Sequence, residues 1–395
     1  MSWPLVKLGE VAPSKALKNP VVVDNDNVWQ LNLDMVESGS GRILKKIKAP
    51  HSEAGSSTHW FDDRHILYSK LRPYLNKVVL PDEEGLATTE LVPMLPDPQK
   101  LDRRYLVHYL RSKQFVSWIS DQVAGAKMPR VSMKVFWDHE IPLPPVEEQK
   151  RIAAILDKAD AIRQKRKQAI DLADEFLRSV FLDMFGDPVA NPKGWEVKNI
   201  VDLAAKEKHA IKRGPFGGAL KKDIFVDSGY LIYEQYHALN NDFDFARYFI
   251  GESKYQELEA FKVSVGDIII SCSGVNLGRL AIVPEGSPEG IINQALLKVK
   301  LDESKMLNDM FVAIFTHPNF KNEFFGDHRG SGVPNFPPMS TFKEFGFIVP
   351  PLDEQKRYLR VVDKVKVLKR RIANSVSSVN EQFNSLSQKA FSGQL

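Results

Sequence analysis

In one stretch of the second half of the chain, cations flank a glycine-rich segment, a combination suited to phosphate binding. Residues 212–222 read KRGPFGGALKK, with four cations around three glycines. Basic side chains neutralise phosphates, and glycines let a backbone approach them closely. The terminal Lys-Ser/Thr of a P-loop is missing, so nucleotide binding is not expected. DNA contacts are predicted here, with an ordinary solvated turn as the alternative, for Lys212, Arg213, Phe216, Gly217, Lys221 and Lys222.

Further polar and basic side chains lie in loops of both halves. Such side chains read base edges or anchor phosphates. The other candidates for DNA contact are Lys70, Arg72, Lys77, Lys127 and Arg130 in the first half, and Ser273, Asn276, Arg279, Arg329 and Asn335 in the second. A capping or surface role is the alternative for each. The basic run at residues 45–48 is expected to be solvated.

The sequence offers no catalytic constellation for DNA chemistry. It contains neither an Asn-Pro-Pro-aromatic motif for amino methylation nor a GxGxxG. The nine histidines show no zinc-binding spacing with cysteine or aspartate. We therefore expect a non-catalytic chain that binds no metal and no cofactor of its own.

Length and composition indicate a two-domain globular protein. The chain has 395 residues, 43% hydrophobic and 26% charged. It has no long apolar run and no signal pattern at its start, so we expect no transmembrane helix and no leader. Cys272 is the one cysteine, which excludes an intramolecular disulfide and favours a cytoplasmic location. The net charge of +4 permits nucleic-acid binding without requiring it.

One eight-residue motif occurs twice, half a chain apart. PPVEEQKR begins at Pro144 and PPLDEQKR at Pro350, with six of eight positions identical. When the halves are aligned, an apolar run ending at Ser69 falls on one ending at Ser271, and the cations at 77 and 279 coincide. An internal repeat is therefore predicted, with each half a mixed α/β globule of strands, long loops and a few helices.

Each copy of the motif leads into a segment with heptad-like spacing. The seam positions are Ile152, Ile155, Ala159, Ile162, Arg166, Ala169, Ala173, Phe176 and Val180 in the first segment, and Tyr358, Val361, Val365, Leu368, Ile372, Val376, Val379, Phe383, Leu386 and Ala390 in the second. This predicts two long helices that pair as an antiparallel coiled coil, rather than two separate surface helices. The expected division is two globular domains at 1–143 and 187–349, with helices at 144–186 and 350–395.

An antiparallel pair would relate the halves by a pseudo-twofold axis and set the globules at opposite ends of a rod. Symmetric DNA-binding proteins place two reading heads on half-sites a fixed distance apart. Two diverged heads in one chain would read two different half-sites.

The paired motifs, each ahead of a long helix, resemble the repeated conserved regions of the specificity subunits of type I restriction–modification enzymes. The stretch Gly214–Asp223 is similar to one near the start of their target-recognition domains, and the terminal FSGQL also fits. The resemblance implies an α/β fold with two target-recognition domains and recognition of a split sequence in double-stranded DNA. It also implies two modification subunits that carry S-adenosylmethionine, and motor-nuclease restriction subunits.

The first half departs from this pattern because it has no GPFG-type segment, so family contact residues are not transferred to it. Two rival interpretations stay open at this point. One is a stand-alone DNA enzyme, which would need the catalytic constellation that the sequence lacks. The other is a coiled-coil adaptor that holds two protein-binding domains.

Overall fold

The computed structural model describes residues 3–18, 27–124, 128–216, 218–274, 276–326 and 336–395. The chain divides into two compact units. Unit 1 is Met1–Ile170 with Arg371–Leu395, and unit 2 is Asp171–Arg370. Both cuts fall inside long helices, so each unit combines a globular part with portions of two helices. The predicted four-part division of the chain stays a prediction.

The elements of unit 1 and the first long helix are β1 Leu5–Lys7, α1 Leu8–Val11, β2 Asn27–Leu31, β3 Ile47–Pro50, β4 Thr58–Phe61, β5 Ile66–Ser69, β6 Val78–Val79, β7 Gly85–Thr88, β8 Leu91–Met94, α2 Arg103–Arg111, α3 Lys113–Ser120, β9 Val123–Ala124, β10 Arg130–Val131, α4 Met133–Asp138, β11 Glu140–Pro142 and α5 Val146–Phe185.

The elements that follow are β12 Glu196–Asn199, α6 Ile200–Leu203, β13 Ile211–Arg213, β14 Phe225–Val226, β15 Tyr230–Tyr233, α7 Gln235–Asn240, β16 Phe249–Ile250, α8 Glu252–Glu257, β17 Lys262–Val263, β18 Ile268–Ser271, β19 Leu280–Ile282, β20 Gly290–Ile292, β21 Leu296–Val299, α9 Asn308–Phe315, α10 Pro318–Phe325, α11 Met339–Lys343, β22 Gly346–Val349 and α12 Leu352–Phe391.

Two sheets form the centre of unit 1. In the first, the order is β3-β2-β7-β4, with β2 and β7 parallel. In the second, β5 lies between β6 and β8 and is antiparallel to both. All four residues of β5 are buried, as expected of an apolar central strand. A separate pairing of β1 with β11 joins the start of the unit to the segment ahead of α5.

Unit 2 repeats this plan. The order of its larger sheet is β14-β16-β15-β20-β17, with β15 and β20 parallel. The buried strand β18 lies between β19 and β21, and β13 extends this sheet. β12 pairs with β22 as β1 pairs with β11. The mixed α/β class and the internal repeat are therefore confirmed at the level of topology.

Two glycines occupy the same place in the parallel strand pairs, Gly85 opposite Trp29 and Gly290 opposite Leu231. A Cβ at Gly85 would lie 2.7 Å from the carbonyl oxygen of Trp29. A Cβ at Gly290 would lie 2.1 Å from the carbonyl oxygen of Leu231. A side chain at either position would force the parallel strands apart, which explains why glycine recurs there.

The glutamine of the first repeated motif fastens the start of α5 to the globular part of unit 1. The fully buried side chain of Gln149 donates to the carbonyl oxygens of Lys100, at 2.8 Å, and Pro144, at 2.7 Å. Its Oε1 accepts from the N–H of Asp102, at 2.8 Å. Asp102 in turn caps α2. The motif therefore joins two helix starts.

Gln355 does the same in unit 2. It is fully buried and donates to the carbonyl oxygens of Lys305, at 3.0 Å, and Pro350, at 2.8 Å. It accepts from the N–H of Leu307, at 2.9 Å, the residue before α9. The recurrence of the glutamine in this motif is thus explained by one buried amide that satisfies three backbone groups in each unit.

Within unit 1, the beginning of α5 pairs with the end of α12. The Arg151 guanidinium donates to the Leu395 carbonyl oxygen at 3.0 Å, and Arg163 lies 4.5 Å from the centroid of the Phe383 ring. Arg166, which interrupts the predicted seam, donates to the Ser375 carbonyl oxygen at 2.7 Å. Position numbers rise along one helix as they fall along the other, so the pairing is antiparallel.

Within unit 2, the end of α5 pairs with the beginning of α12, again antiparallel. The Asp174 carboxylate lies 2.6 Å from the Lys369 ammonium. The rings of Phe181 and Phe185 meet that of Tyr358, with centroids 5.7 and 5.5 Å apart. The antiparallel pairing of two long helices is confirmed.

Among the seam positions whose side chains the structure describes, which leave out Val376, the predicted seam is wrong at three. Ile162, Phe176 and Leu368 are about half exposed, with 49%, 51% and 51% of their surfaces accessible. Leu156 and Phe181 are buried instead. Within unit 2, the end of α5 and the beginning of α12 also pack on the globular part, as the ring contact between Phe181 and His317 shows for α5. This second contact shifts the buried stripe away from a strict heptad face.

A membrane-crossing helix would need a long apolar stretch. In the described ranges, no helix has both the length and the apolar character to cross a membrane.

Candidate nucleic-acid interface

In unit 1, the loop after β5 is fixed by three backbone hydrogen bonds. The N–H of Ser69 donates to the carbonyl oxygen of Lys77 at 3.0 Å, and the N–H of Lys70 to that of Glu90 at 3.0 Å. The N–H of Val131 donates to the carbonyl oxygen of Lys70, also at 3.0 Å. The segments at 69–77, 89–90 and 130–131 therefore converge on one place.

The loop after β18 in unit 2 has the same three bonds. The N–H of Ser271 donates to the carbonyl oxygen of Arg279 at 2.7 Å, and the N–H of Cys272 to that of Ala295 at 2.8 Å. The N–H of Phe336 donates to the carbonyl oxygen of Cys272 at 3.0 Å. The first of these bonds joins aligned positions, since Ser69 corresponds to Ser271 and Lys77 to Arg279, and the other two repeat the pattern of unit 1.

The basic loop after β13 lies beside the loop after β18 in unit 2. A Cβ on Gly214 would lie 1.9 Å from the carbonyl oxygen of Asn293, so the loop presses against the β20–β21 turn. Arg213 lies 5.6 Å from the ring centroid of Phe216 and 5.9 Å from that of Phe336. Phe216 is 68% exposed. A cation near two rings, one of them exposed, suits contact with phosphates and bases.

The other described candidates of unit 2 differ in how far their side chains are exposed. Lys212, on β13, lies with its ammonium 5.0 Å from the centroid of the Phe261 ring. Lys221, Asn276 and Arg279 are exposed. Among the described residues, none forms a side-chain hydrogen bond or an ion pair with these three side chains, which suits them to contact a ligand.

Gln235, which the sequence analysis missed, organises the loop after β18. Its Nε2 donates to Ser271 Oγ at 2.9 Å, to the Ser273 carbonyl oxygen at 2.9 Å and to Ser273 Oγ at 3.1 Å. Gln235 is the first residue of α7, directly after the turn from β15. The only available signal was a glutamine following an apolar strand, and that signal is weak. Ser273, a predicted site residue, is held by this contact.

Two of the predicted site residues of unit 1 already bind groups within the protein. The Lys77 ammonium donates to the Leu33 carbonyl oxygen at 2.6 Å. The Arg130 guanidinium lies 2.9 Å from Glu90, and this pairing raises the pKa of Arg130. Arg72 is exposed and has a left-handed backbone, with φ of 50°, while Lys70 is half-buried. Arg72 is therefore the least constrained cation of this loop.

Four candidates, Lys127, Gly217, Arg329 and Asn335, lie outside the described residues. For Lys222 only the backbone is described. The basic run at 45–48 is partly neutralised, because Lys46 pairs with Asp82 and Glu83, and Lys48 with Glu83. That run offers less positive field than its sequence suggests.

The cysteine beside this cluster is unsuited to nucleophilic chemistry. Cys272 is fully buried, and burial raises the pKa of its thiol to about 12. The thiol therefore stays protonated at neutral pH. Within the described ranges, no cluster of three or more His, Cys, Asp or Glu side chains could hold a metal ion.

Comparison with known proteins places this architecture among DNA-specificity proteins. The family model for the type I restriction modification DNA specificity domain matches residues 3–172 and 192–377. The type I restriction enzyme EcoDI specificity subunit of Escherichia coli is 26% identical over 215 residues, which is 53% of this chain and 46% of that relative. The MjaVIII specificity subunit of Methanocaldococcus jannaschii is 22% identical over 330 residues, 77% of this chain and 73% of the relative.

Solved structures share the fold over nearly the full length. A chain from a structure of the type I R–M system superimposes with a TM-score of 0.58 at 17% identity, covering 100% of this chain and 98% of that one. The S subunit of a type I restriction–modification system from M. genitalium gives 0.53 at 14% identity, covering 98% and 96%.

Proposed function

Because the chain belongs to the type I restriction modification DNA specificity family, we propose that it is the subunit that reads the DNA sequence for its system. One observation carries this proposal. Equivalent hydrogen bonds fix the loops after β5 and β18, yet the side chains on those loops differ. To read a base sequence, a protein must hold polar side chains in fixed positions, and different side chains in those positions recognise different bases.

Each unit would read its own half of a bipartite site. In unit 2 the reading surface comprises the loops after β13 and β18, with Arg213 and the exposed Phe216, Lys221, Asn276 and Arg279. In unit 1 it comprises the loop after β5, with Lys70, Arg72 and Arg130. Since these sets differ in charge and shape, the two half-sites should differ in sequence. Lys127, Gly217, Lys222, Arg329 and Asn335 stay predicted contacts on sequence grounds.

The helices α5 and α12 would set the distance between the half-sites and offer a surface to partner subunits. Each has 40 residues, or about 60 Å at 1.5 Å per residue. The partners that follow from the family are two modification subunits, which bring S-adenosylmethionine, and motor-nuclease restriction subunits. The chain itself would be non-catalytic and act in the cytoplasm.

A binding experiment tests this function. The full chain with its modification subunit should select one split sequence from a duplex library with a randomised gap. Binding should weaken steeply with salt, because each phosphate contact releases counterions. The chain alone should neither methylate nor cleave DNA. Salt-independent or absent DNA binding would instead favour the coiled-coil adaptor, and methylation by the isolated chain would favour the stand-alone enzyme.

A further inference from the structure

The side chain of Gln235 is held in one orientation. Its Nε2 has three acceptors within 3.1 Å, two of them on Ser273 and one on Ser271. The Ser273 carbonyl oxygen can only accept, so the amide must turn its NH₂ group toward it. The orientation of Gln235 is therefore fixed by the backbone of the loop after β18.

In this orientation, the amide can offer a ligand only its carbonyl oxygen, which accepts hydrogen bonds. Both hydrogens of Nε2 are engaged internally, whereas none of the described residues donates a hydrogen bond to Oε1. Gln235 is half-exposed, and Ser273 lies on a loop of the candidate interface. A glutamine that uses both its groups recognises adenine through N6 and N7. A glutamine with its NH₂ occupied can only accept.

Unit 1 builds the equivalent place differently. The strand registers make Leu33 the counterpart of Gln235, since Leu31 and Tyr233 face equivalent residues of the parallel partner strands. The hydroxyl of Ser69, the counterpart of Ser271, donates to the Leu71 carbonyl oxygen at 2.9 Å. The loop therefore closes without an amide in unit 1, so Gln235 is not needed merely to close a loop of this kind.

We propose, on the basis of the proposed function, that Gln235 reads one base of the unit 2 half-site purely as a hydrogen-bond acceptor. Its Oε1 would accept from an exocyclic amine in the major groove, either N6 of adenine or N4 of cytosine. Guanine and thymine present the acceptors O6 and O4 at that edge, and these would face Oε1 with like polarity. Ser271 is a positioning residue, because its fully buried hydroxyl anchors the amide without reaching DNA.

The test uses the full chain in complex with its modification subunit. Site selection first defines the preferred duplex. Each adenine and cytosine of that duplex is then replaced, one at a time, by an analogue in which hydrogen takes the place of the exocyclic amine. At one position of one half-site, the affinity of the wild type should fall roughly tenfold. In Gln235→Met the penalty at that position should vanish, while penalties elsewhere stay unchanged.

Two further variants isolate the cause. Ser271→Ala should reduce the same penalty at the same position, because the amide loses one anchor while the Ser273 carbonyl remains. Gln256→Met is the matched control, since Gln256 is an exposed glutamine on α8 of the same unit. It should leave every penalty unchanged.

The outcomes separate two kinds of failure. If Gln235→Met loses as much affinity as the wild type for every analogue duplex, the inference is overturned and the proposed function is left intact. Changes spread over both half-sites also overturn it, because they would indicate a structural role. If Gln235→Met does not fold, Ser271→Ala decides alone, and wild-type penalties in that variant overturn the inference. A wild-type complex that selects no sequence overturns the proposed function as well.

Discussion

The loop after β5 in unit 1 and the loop after β18 in unit 2 have equivalent backbone hydrogen bonds but are closed by different side chains. In unit 1 the loop is closed by the Ser69 hydroxyl, and Lys77 ties it to Leu33. In unit 2 the amide of Gln235 bridges Ser271 and Ser273. The shared part lies in the main chain, and the divergent part lies in side chains at the candidate interface. Under the proposed function, such a division would let one fold carry two specificities without rebuilding its core.

The largest expected effect tests what the two units share. Gln149→Leu should destabilise unit 1, and Gln355→Leu should destabilise unit 2 by a similar amount. Each change leaves three buried backbone groups without partners, at a cost on the order of 4 kcal/mol. Hydrogen exchange of the full chain, followed by mass spectrometry, resolves the two units. Glu147→Gln, at a side chain that is 85% exposed, is the control. Destabilisation of one unit only would mean that the motif copies are not equivalent.

The next effect concerns divided specificity. Arg213→Ala should disturb binding at one half-site, and Arg130→Ala at the other. The loss should be about 1–3 kcal/mol for a base contact, with relaxed preference, whereas loss of a phosphate contact weakens binding without changing preference. Competition with duplexes mutated in either half-site measures this. A single variant that alters preference at both half-sites would contradict the two-reader arrangement.

A third prediction contrasts two cations at equivalent positions. Lys77→Met should destabilise unit 1 by about 1–2 kcal/mol, because it removes a hydrogen bond from a charged donor to the Leu33 carbonyl oxygen. Arg279→Met should leave stability unchanged, because Arg279 is exposed. It should instead weaken DNA binding and lower the salt slope by about one. Denaturation and salt titration of both variants make the comparison. Equal effects on DNA binding would restore Lys77 as a phosphate contact.

The features that the two units share could be predicted from the sequence, and the reason is physical. The repeated motif encodes a buried amide with three partners, and the helices Val146–Phe185 and Leu352–Phe391 lie inside the segments predicted as helical. Apolar runs ending in serine became the central strands β5 and β18. These features depend on local pattern and burial, which a single sequence displays.

The divergent part could not be predicted in the same way. Gln235 meets Ser271 and Ser273 only because the parallel pairing of β15 with β20 brings the start of α7 beside β18. No local pattern marks such a contact. The seam failed at Phe176 for a related reason, since the globular part of the unit competes with the partner helix for the same face.

The smallest expected effect is a pH-dependent contribution to the stability of unit 1. In unit 1, hydrogen bonds from Lys167 and then Ser40 lower the pKa of Glu37 to about 2, against an ordinary value of 4.5. A carboxylate whose folded pKa is depressed stabilises the folded state above its unfolded pKa. That contribution is lost as pH falls from about 4.5 toward 2. Because the Lys167 side chain is 57% exposed, solvent screens the pair, and we expect a contribution of about 1 kcal/mol.

Glu37→Gln isolates this contribution. The variant should be less stable than the wild type at pH 7, and the difference should shrink steadily below pH 4.5 and nearly vanish by pH 2. Urea denaturation at several pH values, read through hydrogen exchange in unit 1, measures it. Lys254→Met is the control, because its ion pair with Glu257 lies in unit 2, and its effect on unit 1 should be nil. A constant difference between Glu37→Gln and the wild type across this range would mean that the contact between the Val36–Ile43 loop and α5 does not depend on the charge of Glu37. The loop would then be held by its own turn, through the bridge of Val36 to Ile43, and not by the helix.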